Sequence, residues 1–145
     1  MSLLADTLEN YAPIFDESEN ELFRAWKLLS SVPGGRKLFS YALGLYVPYT
    51  GSIYPDVRDV KRGYARVAMA DRRRVRNHLN SIHAVALANL IELTGNLALY
   101  SSMPPDGRFI VKEMNVQYEK KARGEVIAES ETPVLDSSEE AEFDI

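Results

Sequence analysis

Apolar residues recur at helical spacing in the first third of the chain and predict two short helices. The first follows a capping-box pattern at residues 18–21, and its apolar positions are Leu22, Phe23, Trp26 and Leu29. A second helix is predicted from Gly35 to about Tyr46, followed by a turn at residues 50–51. We expect these two helices to lie outside the core of the fold, where they cover a sheet edge or cap a pocket.

From residue 52 onwards the pattern changes to that of β-strands. Residues 53–60 and 64–75 predict a hairpin, with one face formed by Ala65, Val67 and Met69. Further strands are predicted at residues 108–118 and from 125 to about 131. Apolar and acidic side chains then alternate over residues 140–145, as in a half-buried strand, and we expect the sequence to be truncated within it.

A long helix is predicted between the two sets of strands, from residue 81 to about 101. Its broad apolar side contains Leu87, Leu90, Ile91, Thr94, Leu97 and Ala98. The segment has no lysine or arginine and only one acid, Glu92, so we expect most of its circumference to be buried. Asn89 and Asn96 flank Glu92 at helical spacing. Burial strengthens a carboxylate as a base, which favours a catalytic role for Glu92 over that of a solvated helix edge.

This order of elements predicts an α+β fold in which an antiparallel sheet wraps around one long helix. The 145 residues are the size of one domain, and 46% hydrophobic with 26% charged residues is typical of a globular protein. The absence of cysteine excludes a disulfide framework, a thiolate metal site and a cysteine nucleophile. With two histidines in all, His78 and His83, we expect no metal site.

Charge is distributed unevenly along the chain. The net charge is −4, but residues 124–145 contain eight acids and no base, which leaves 17 bases against 13 acids before them. This balance excludes a dedicated nucleic-acid binder. No secretory signal pattern is present, and the longest apolar run, residues 82–91, has half of the ~20 residues that span a bilayer. We expect a cytoplasmic protein that contacts neither nucleic acid nor membrane.

Residues 76–84 read Arg-Asn-His-Leu-Asn-Ser-Ile-His-Ala, and this segment resembles the hotdog-fold thioesterases, in particular those similar to phenylacetyl-CoA thioesterases. Within that group the sequence most resembles a branch known as a domain of unknown function. These enzymes have an Asn at a strand end, a His six residues later at the start of the central helix, and an acid nine residues further on. Asn77, His83 and Glu92 reproduce both intervals, and the resemblance covers roughly residues 36–131.

The resemblance implies that Glu92 is the base or nucleophile and that Asn77 orients water or the thioester. Backbone amides at the helix start would hold the oxyanion, and they belong to His83, Ala84 and Val85. Further contacts to substrate are predicted for Asn89, Asn96 and Arg123. The family has Gly-Gly after its His, whereas this sequence has Ala84 and Val85. The resemblance implies that their side chains narrow the passage for the acyl or pantetheine group. No metal or organic cofactor is required.

A concentration of basic residues is a second candidate for substrate binding. Eight bases fall within residues 58–76, namely Arg58, Lys61, Arg62, Arg66, Arg72, Arg73, Arg74 and Arg76. Arginine suits phosphate because it forms paired hydrogen bonds, and coenzyme A carries three phosphate groups. We expect most of these residues to form a solvated outer sheet face, and one or two, with Lys120, Lys121 or Arg123, to hold the nucleotide end.

Helix geometry predicts that two subunits build the site. Nine residues separate His83 from Glu92, which is about 13 Å along a helix and too far for both to act on one carbonyl. The start of one subunit's helix must therefore combine with Glu92 of the other. A homodimer follows, with a dimer of dimers as a further option.

Three of the candidate residues also have a structural interpretation. Asn77 is typical of turns, His83 can anchor the helix start by a backbone hydrogen bond, and Ser81 is predicted to be the N-cap. Both interpretations of Asn77 stay open at this point, and for His83 anchoring is favoured over proton transfer.

We therefore expect one hotdog domain over residues 1–145, with an N-terminal helical extension at 1–47 and a core at 48–145 that lacks its last strand or strands. Its expected function is hydrolysis of an acyl-CoA or related thioester at a homodimer interface. A non-catalytic acyl-CoA or lipid-binding hotdog module is the alternative, and a purely structural dimer is the third interpretation.

Overall fold

The computed structural model describes residues 17–135, 137, 140 and 145. Within them lie the α-helices α1 Glu21–Ser30, α2 Gly35–Tyr46, α3 Pro48–Gly51 and α4 Ala84–Ser102, and the strands β1 Asp56–Lys61, β2 Tyr64–Met69 and β3 Val126–Glu131. A short 3-10 helix, Arg73–Val75, lies between β2 and α4. None of the helices in this part of the chain is both long and apolar enough to cross a membrane.

The three strands form one antiparallel sheet in the order β1-β2-β3. β1 and β2 make a hairpin around Gly63, whose φ of +76° favours glycine in this tight turn. Val67 in the middle of β2 pairs with Val57 on one side and with Ala128 on the other. The inward face of β2 contains Ala65, Val67 and Met69. It packs under α4 and is fully buried, as the alternation predicts.

The long helix α4 lies across the inner face of the sheet and forms the centre of the core. Leu90 and Leu97 are 1% and 2% exposed, and the buried hydroxyl of Thr94 donates to the carbonyl of Leu90 at 2.6 Å. One strip of the helix stays exposed and contains Ala84, Val85, Ile91, Glu92 and Tyr100. The predicted central helix is therefore confirmed, with one exposed side.

The helix α2 covers the β1 edge of the sheet, and α1 packs on α2 and on α4. Trp26 and Phe39 join the two helices edge to face, with ring centroids 5.1 Å apart. The hydroxyl of Ser40 in α2 accepts a hydrogen bond from the N–H of Val57 in β1 at 2.9 Å. One of the two expected roles of these helices, covering a sheet edge, is thus observed.

The start of α1 is fixed by Asn20 rather than by a capping box. Its Oδ1 accepts from the N–H of Phe23 at 3.0 Å. Its side-chain amide donates to the carbonyls of Tyr100 and Met103 at the end of α4. A single side chain therefore caps the first described helix and ties it to the last turn of the central one.

Two predicted boundaries before α4 are wrong. β2 ends at Met69 rather than at residue 75, and the N-cap of α4 is His83 rather than Ser81. The N–H of His83 donates to the carbonyl of Val75 at 2.7 Å and closes a turn at residues 77–81. This turn takes up the residues that the sequence pattern places at the helix start.

The strand predicted at residues 108–118 is also wrong, because no sheet pairing forms there. Exposed apolar side chains in this segment include Ile110, Val111, Met114 and Tyr118. A strand needs a neighbour to bond its N–H and C=O groups, and no strand among the described residues pairs with this segment. The predicted strand at 140–145 lies outside the described residues, apart from its two ends.

Candidate active site

A cavity of about 210 Å³ opens at the N-terminal end of α4. Three parts of the chain meet there: the end of α3, the 3-10 segment before the turn at 77–81, and the first two turns of α4. The lining includes six polar side chains, from Tyr49, Ser52, Arg74, Arg76, His83 and Asn89. Ile53, Val75, Val85 and Ala86 complete it. The cavity therefore combines the positive end of a helix with two guanidinium groups.

The start of α4 is held by His83, whose Nδ1 accepts from the N–H of Val85 at 3.1 Å. The N–H of His83 itself donates to Val75, so two of the three amides predicted to hold an oxyanion are occupied. The first bond of the helix runs from Leu87 to the carbonyl of His83. Among the described residues, no acceptor bonds the N–H groups of Ala84 and Ala86. These two amides are the free donors at the helix start.

Asn77 organises the turn that precedes the helix. Its Oδ1 accepts from the N–H of Leu79 at 2.9 Å and from the N–H and hydroxyl of Ser81 at 3.3 and 3.2 Å. Its own N–H donates to the carbonyl of Ser81 at 2.8 Å, and Asn80 takes a left-handed φ of +56°. The structural role of Asn77 is therefore present, and its Nδ2 has no acceptor among the described residues.

The loop at residues 120–124, just before β3, supports this turn from outside. Arg123 Nε donates to the carbonyl of Asn80 at 3.3 Å, and the N–H of Ile82 donates to the carbonyl of Ala122 at 2.9 Å. Arg123, predicted to contact substrate, thus contacts the turn in this structure. Its place outside the cavity lining makes it a support for the site.

Asp71 joins the same loop to the cavity wall. Its carboxylate accepts from Arg76 Nε at 2.6 Å and from the N–H of Gly124 at 2.9 Å. The hydrogen bond from Arg76, followed by that from Gly124, lowers the pKa of Asp71 below its usual value. The same pair raises the pKa of Arg76, so both groups stay charged at neutral pH.

One face of α4 carries the remaining predicted residues. Val85, Asn89, Glu92 and Asn96 follow at intervals of four, three and four residues, which places them in one stripe. Asn89 is buried, lines the cavity and donates from Nδ2 to the carbonyl of Tyr49 at 3.1 Å. Asn96 is half-buried, one turn beyond Glu92.

Glu92 is exposed, so the expectation of a buried carboxylate is wrong for the single chain. It lies outside the cavity lining, about 10 Å along the helix from Val85. In one subunit, therefore, the carboxylate and the free amides of the helix start are not brought together.

Two tyrosines that the sequence analysis did not single out also shape the site. The carbonyl of Tyr49 holds Asn89, and α3 reaches this position because Gly51 packs directly on Gly44. A Cβ at Gly51 would lie 2.2 Å from the carbonyl oxygen of Gly44. Tyr54, with a left-handed φ of +51°, contacts arginines beside the cavity. The roles of Tyr49 and Tyr54 depend on contacts in the folded chain, so the sequence does not reveal them directly. Glycines in two adjacent predicted elements are nevertheless a sequence signal for the close approach that positions Tyr49.

The described residues contain no group of three or more His, Cys, Asp or Glu side chains that could hold a metal ion. The cavity presents backbone amides, two arginines and Asn89, and Glu92 is an acid on the adjacent face of α4.

Solved structures of other proteins share this fold. The crystal structure of genomics APC5556 is 34% identical, with a TM-score of 0.67, and the match covers 76% of this chain and 74% of that one. A protein of unknown function from Pseudomonas aeruginosa, PA5026, named "Probable Thioesterase", is 24% identical with a TM-score of 0.54, covering 71% and 68% of the two chains. The chain has the hotdog fold.

The family follows from the sequence match. Residues 35–145 match the family described as Domain of unknown function (DUF4442), and the chain belongs to this family. The match begins at the first residue of α2 and includes the whole cavity lining. No curated protein matches the sequence.

Proposed function

We propose that this protein hydrolyses an acyl-CoA or a related thioester at the interface of a homodimer. The observation that carries the proposal is the cavity at the start of α4, whose lining includes Ala86 together with Arg74 and Arg76, while the free amide of Ala84 lies at the same helix start. The name of the Pseudomonas aeruginosa protein of the same fold agrees with this chemistry.

The free amides suit the charge that develops during thioester hydrolysis. The carbonyl oxygen gains negative charge as the carbon is attacked, and amides at the positive end of a helix stabilise that charge. The free donors shift the proposed oxyanion site to Ala84 and Ala86, because His83 and Val85 already use theirs. The side chain of Val85 does not block this role, since backbone N–H groups supply the bonds.

Glu92 is proposed as the general base of the reaction. Its carboxylate would take a proton from water, the water oxygen would bond to the carbonyl carbon, and the carbon–sulfur bond would break. The departing thiolate would receive the proton, which leaves a free acid and a thiol. Asn89 would orient the thioester inside the cavity, and the unbonded Nδ2 of Asn77 would orient the water or thioester from the turn.

The base has to come from a second copy of the chain. Glu92 lies outside the cavity of its own subunit, and it is surrounded on the exposed strip of α4 by Val85, Ile91 and Tyr100, which are 51%, 45% and 38% exposed. Ile110 in the unpaired segment is 83% exposed. Burial of these groups against a partner would place Glu92 of the partner subunit at the cavity.

A panel of short, medium, long and aromatic acyl-CoAs, with thiol release as the readout, tests the proposal. Glu92→Gln should abolish turnover while the fold and dimer stay intact. The control is Glu131→Gln, because Glu131 is an exposed acid at the end of β3, outside the cavity lining. Turnover that survives Glu92→Gln would contradict the mechanism but leave an enzyme.

A non-catalytic acyl-CoA-binding module is the second candidate. The observation in its favour is that Val85 occupies the cavity lining where the related thioesterases have glycine, while Glu92 stays outside. Tight binding of coenzyme A without turnover of any member of the panel would establish this function instead.

A further inference from the structure

We propose that Arg72 and Arg74, spread on the ring of Tyr54, bind the phosphates of the coenzyme A portion of the substrate. This inference rests on the proposed function and names the part of the thioester that the protein selects. The binding group is a pair of arginines on an aromatic ring. Arg74 lies in the cavity lining, and Arg72 and Tyr54 lie outside it. We call these three residues the arginine cluster.

Tyr54 fixes the positions of both guanidinium groups. Arg72 lies over its ring at 5.3 Å from the centroid and Arg74 at 5.9 Å. Arg74 also donates from Nη1 to the hydroxyl of Tyr54. The N–H of Tyr54 in turn bonds the carbonyl of Gly51 at 3.0 Å. Two like charges are therefore held close together by a residue that is anchored to α3.

The charge of this pair is not balanced within the described residues. Arg58 is paired with Asp56 and Glu125, Arg66 with Glu129, and Arg76 with Asp71. The guanidinium groups of Arg72 and Arg74 have no carboxylate partner in this part of the chain. Unbalanced and fixed guanidinium groups favour a multiply charged anion, and they match phosphate oxygens through paired hydrogen bonds.

The position of the arginine cluster relative to the cavity fits the shape of coenzyme A. Arg74 belongs to the cavity lining, whereas Arg72 and Tyr54 lie outside it. The pantetheine arm separates the thioester from the phosphates, so a thioester at the helix start leaves the phosphates outside the cavity. The arginine cluster continues outward from that point and is positioned to receive them.

Arg73 provides a matched control. It is exposed and lies between the two arginines in the same 3-10 segment, yet it contacts neither Tyr54 nor the cavity. Arg73→Gln removes the same charge from the same surface. A general attraction between a basic surface and an anion would be weakened equally by all three substitutions.

The experiment compares two thioesters of one acyl group, its coenzyme A ester and its N-acetylcysteamine ester, which has no phosphate. In the double variant Arg72→Gln/Arg74→Gln, kcat/KM for the coenzyme A ester should fall about tenfold more than kcat/KM for the other ester, mainly through KM. Arg73→Gln should leave this ratio as in the wild type. Tyr54→Leu should reproduce part of the change, and Tyr54→Phe less, since it keeps the ring.

Equal losses on both esters, or an equal effect of Arg73→Gln, would overturn the assignment. Calorimetric titration with free coenzyme A separates this outcome from failure of the proposed function. If no thioester is hydrolysed but coenzyme A binds and the double variant weakens it about tenfold, the proposed hydrolase is wrong and the phosphate site stands. If the double variant binds coenzyme A like the wild type, the phosphate site is wrong whatever the turnover.

Discussion

The cavity has two sides that differ in how completely the chain satisfies its own polar groups. On the closed side, formed by the turn at 77–81 and its support from Asp71 and Arg123, side-chain oxygens and guanidinium groups are bonded within the chain. On the open side, formed by the exposed strip of α4 and by Arg72 and Arg74, the charged side chains form no ion pair among the described residues. The bonded groups of the closed side fix the shape of the cavity, and the charged groups without an ion pair are the ones that we propose contact substrate and a second subunit.

The largest expected effect comes from variants that test whether one chain supplies the amides and a second chain supplies Glu92. Ala84→Pro removes one free amide at the first position of α4, where proline fits and where His83 already has the extended backbone it requires. Alone, Ala84→Pro or Glu92→Gln should lower kcat by about 100-fold or more. An equimolar mixture of the two should recover about one quarter of wild-type activity, because half of its dimers are mixed and one of the two sites in each mixed dimer is intact.

The control for the mixed dimers is the double variant Ala84→Pro/Glu92→Gln combined with Glu92→Gln, in which no site is intact. Mass spectrometry of the mixture checks that heterodimers form. Heterodimers without recovered activity would mean that the amides and the carboxylate act within one chain. The open side would then require no second chain for catalysis.

The next largest effect concerns α3, which holds Asn89 through the carbonyl of Tyr49 and anchors Tyr54 beneath the arginines of the open side. Gly51→Ala would place a Cβ 2.2 Å from the carbonyl oxygen of Gly44, so α3 has to move away from α2. We expect the free energy of unfolding to fall by about 3 kcal/mol in urea titrations, because the clash is with backbone. Thr50→Ala in the same helix is the control and should change it by much less. Equal stability of the two variants would show that α3 adjusts freely.

A smaller loss is expected within the turn itself. Asn77→Ala removes the acceptor for three donors from Leu79 and Ser81. The free energy of unfolding should fall by about 1–2 kcal/mol because the turn is partly exposed and water replaces some bonds. His78→Ala, at the exposed neighbouring position, should be near neutral in the same thermal and urea experiments. An unchanged free energy of unfolding would contradict the structural role of the bonds to Asn77 Oδ1.

The smallest expected effect is a pH dependence at Asp71. Because Arg76 and Gly124 lower the pKa of this carboxyl, its contribution to stability is present above the ordinary value of 3.8 and is lost as pH falls through the lowered pKa. The difference in unfolding free energy between wild type and Asp71→Asn should stay constant from neutral pH to about pH 5 and shrink in more acidic solution. A difference that grows on acidification would contradict the assigned bonds.

The sequence predicts those parts of the fold that depend on near neighbours. The inward face of β2, the strand at 126–131 and the long apolar helix follow from period and composition, and all are observed. The segment at 108–118 has the composition of a strand, but its pairing depends on a neighbour that no local pattern supplies. For the same reason the exposure of Glu92 could not be predicted, since it depends on what covers α4.

Within the site, the sequence identifies positions better than roles. His83 is predicted as an anchor of the helix start and is observed as its N-cap. Ser81 has the residue type of a cap but lies in the preceding turn, where Asn77 bonds it. The arginines are visible as a run of charge, yet which of them form ion pairs depends in part on Glu125 and Glu129, which are distant in the sequence.

The contacts of Asn20 affect the order in which parts of the fold can form during synthesis. Asn20 holds α1 through carbonyls 80 and 83 residues later in the chain. At 5–20 residues per second, a ribosome needs roughly 4–17 s to synthesise the intervening segment. The first described helix can therefore pack on α2 early, through Trp26 and Phe39, but its hydrogen bonds to the central helix form only once the end of that helix has emerged.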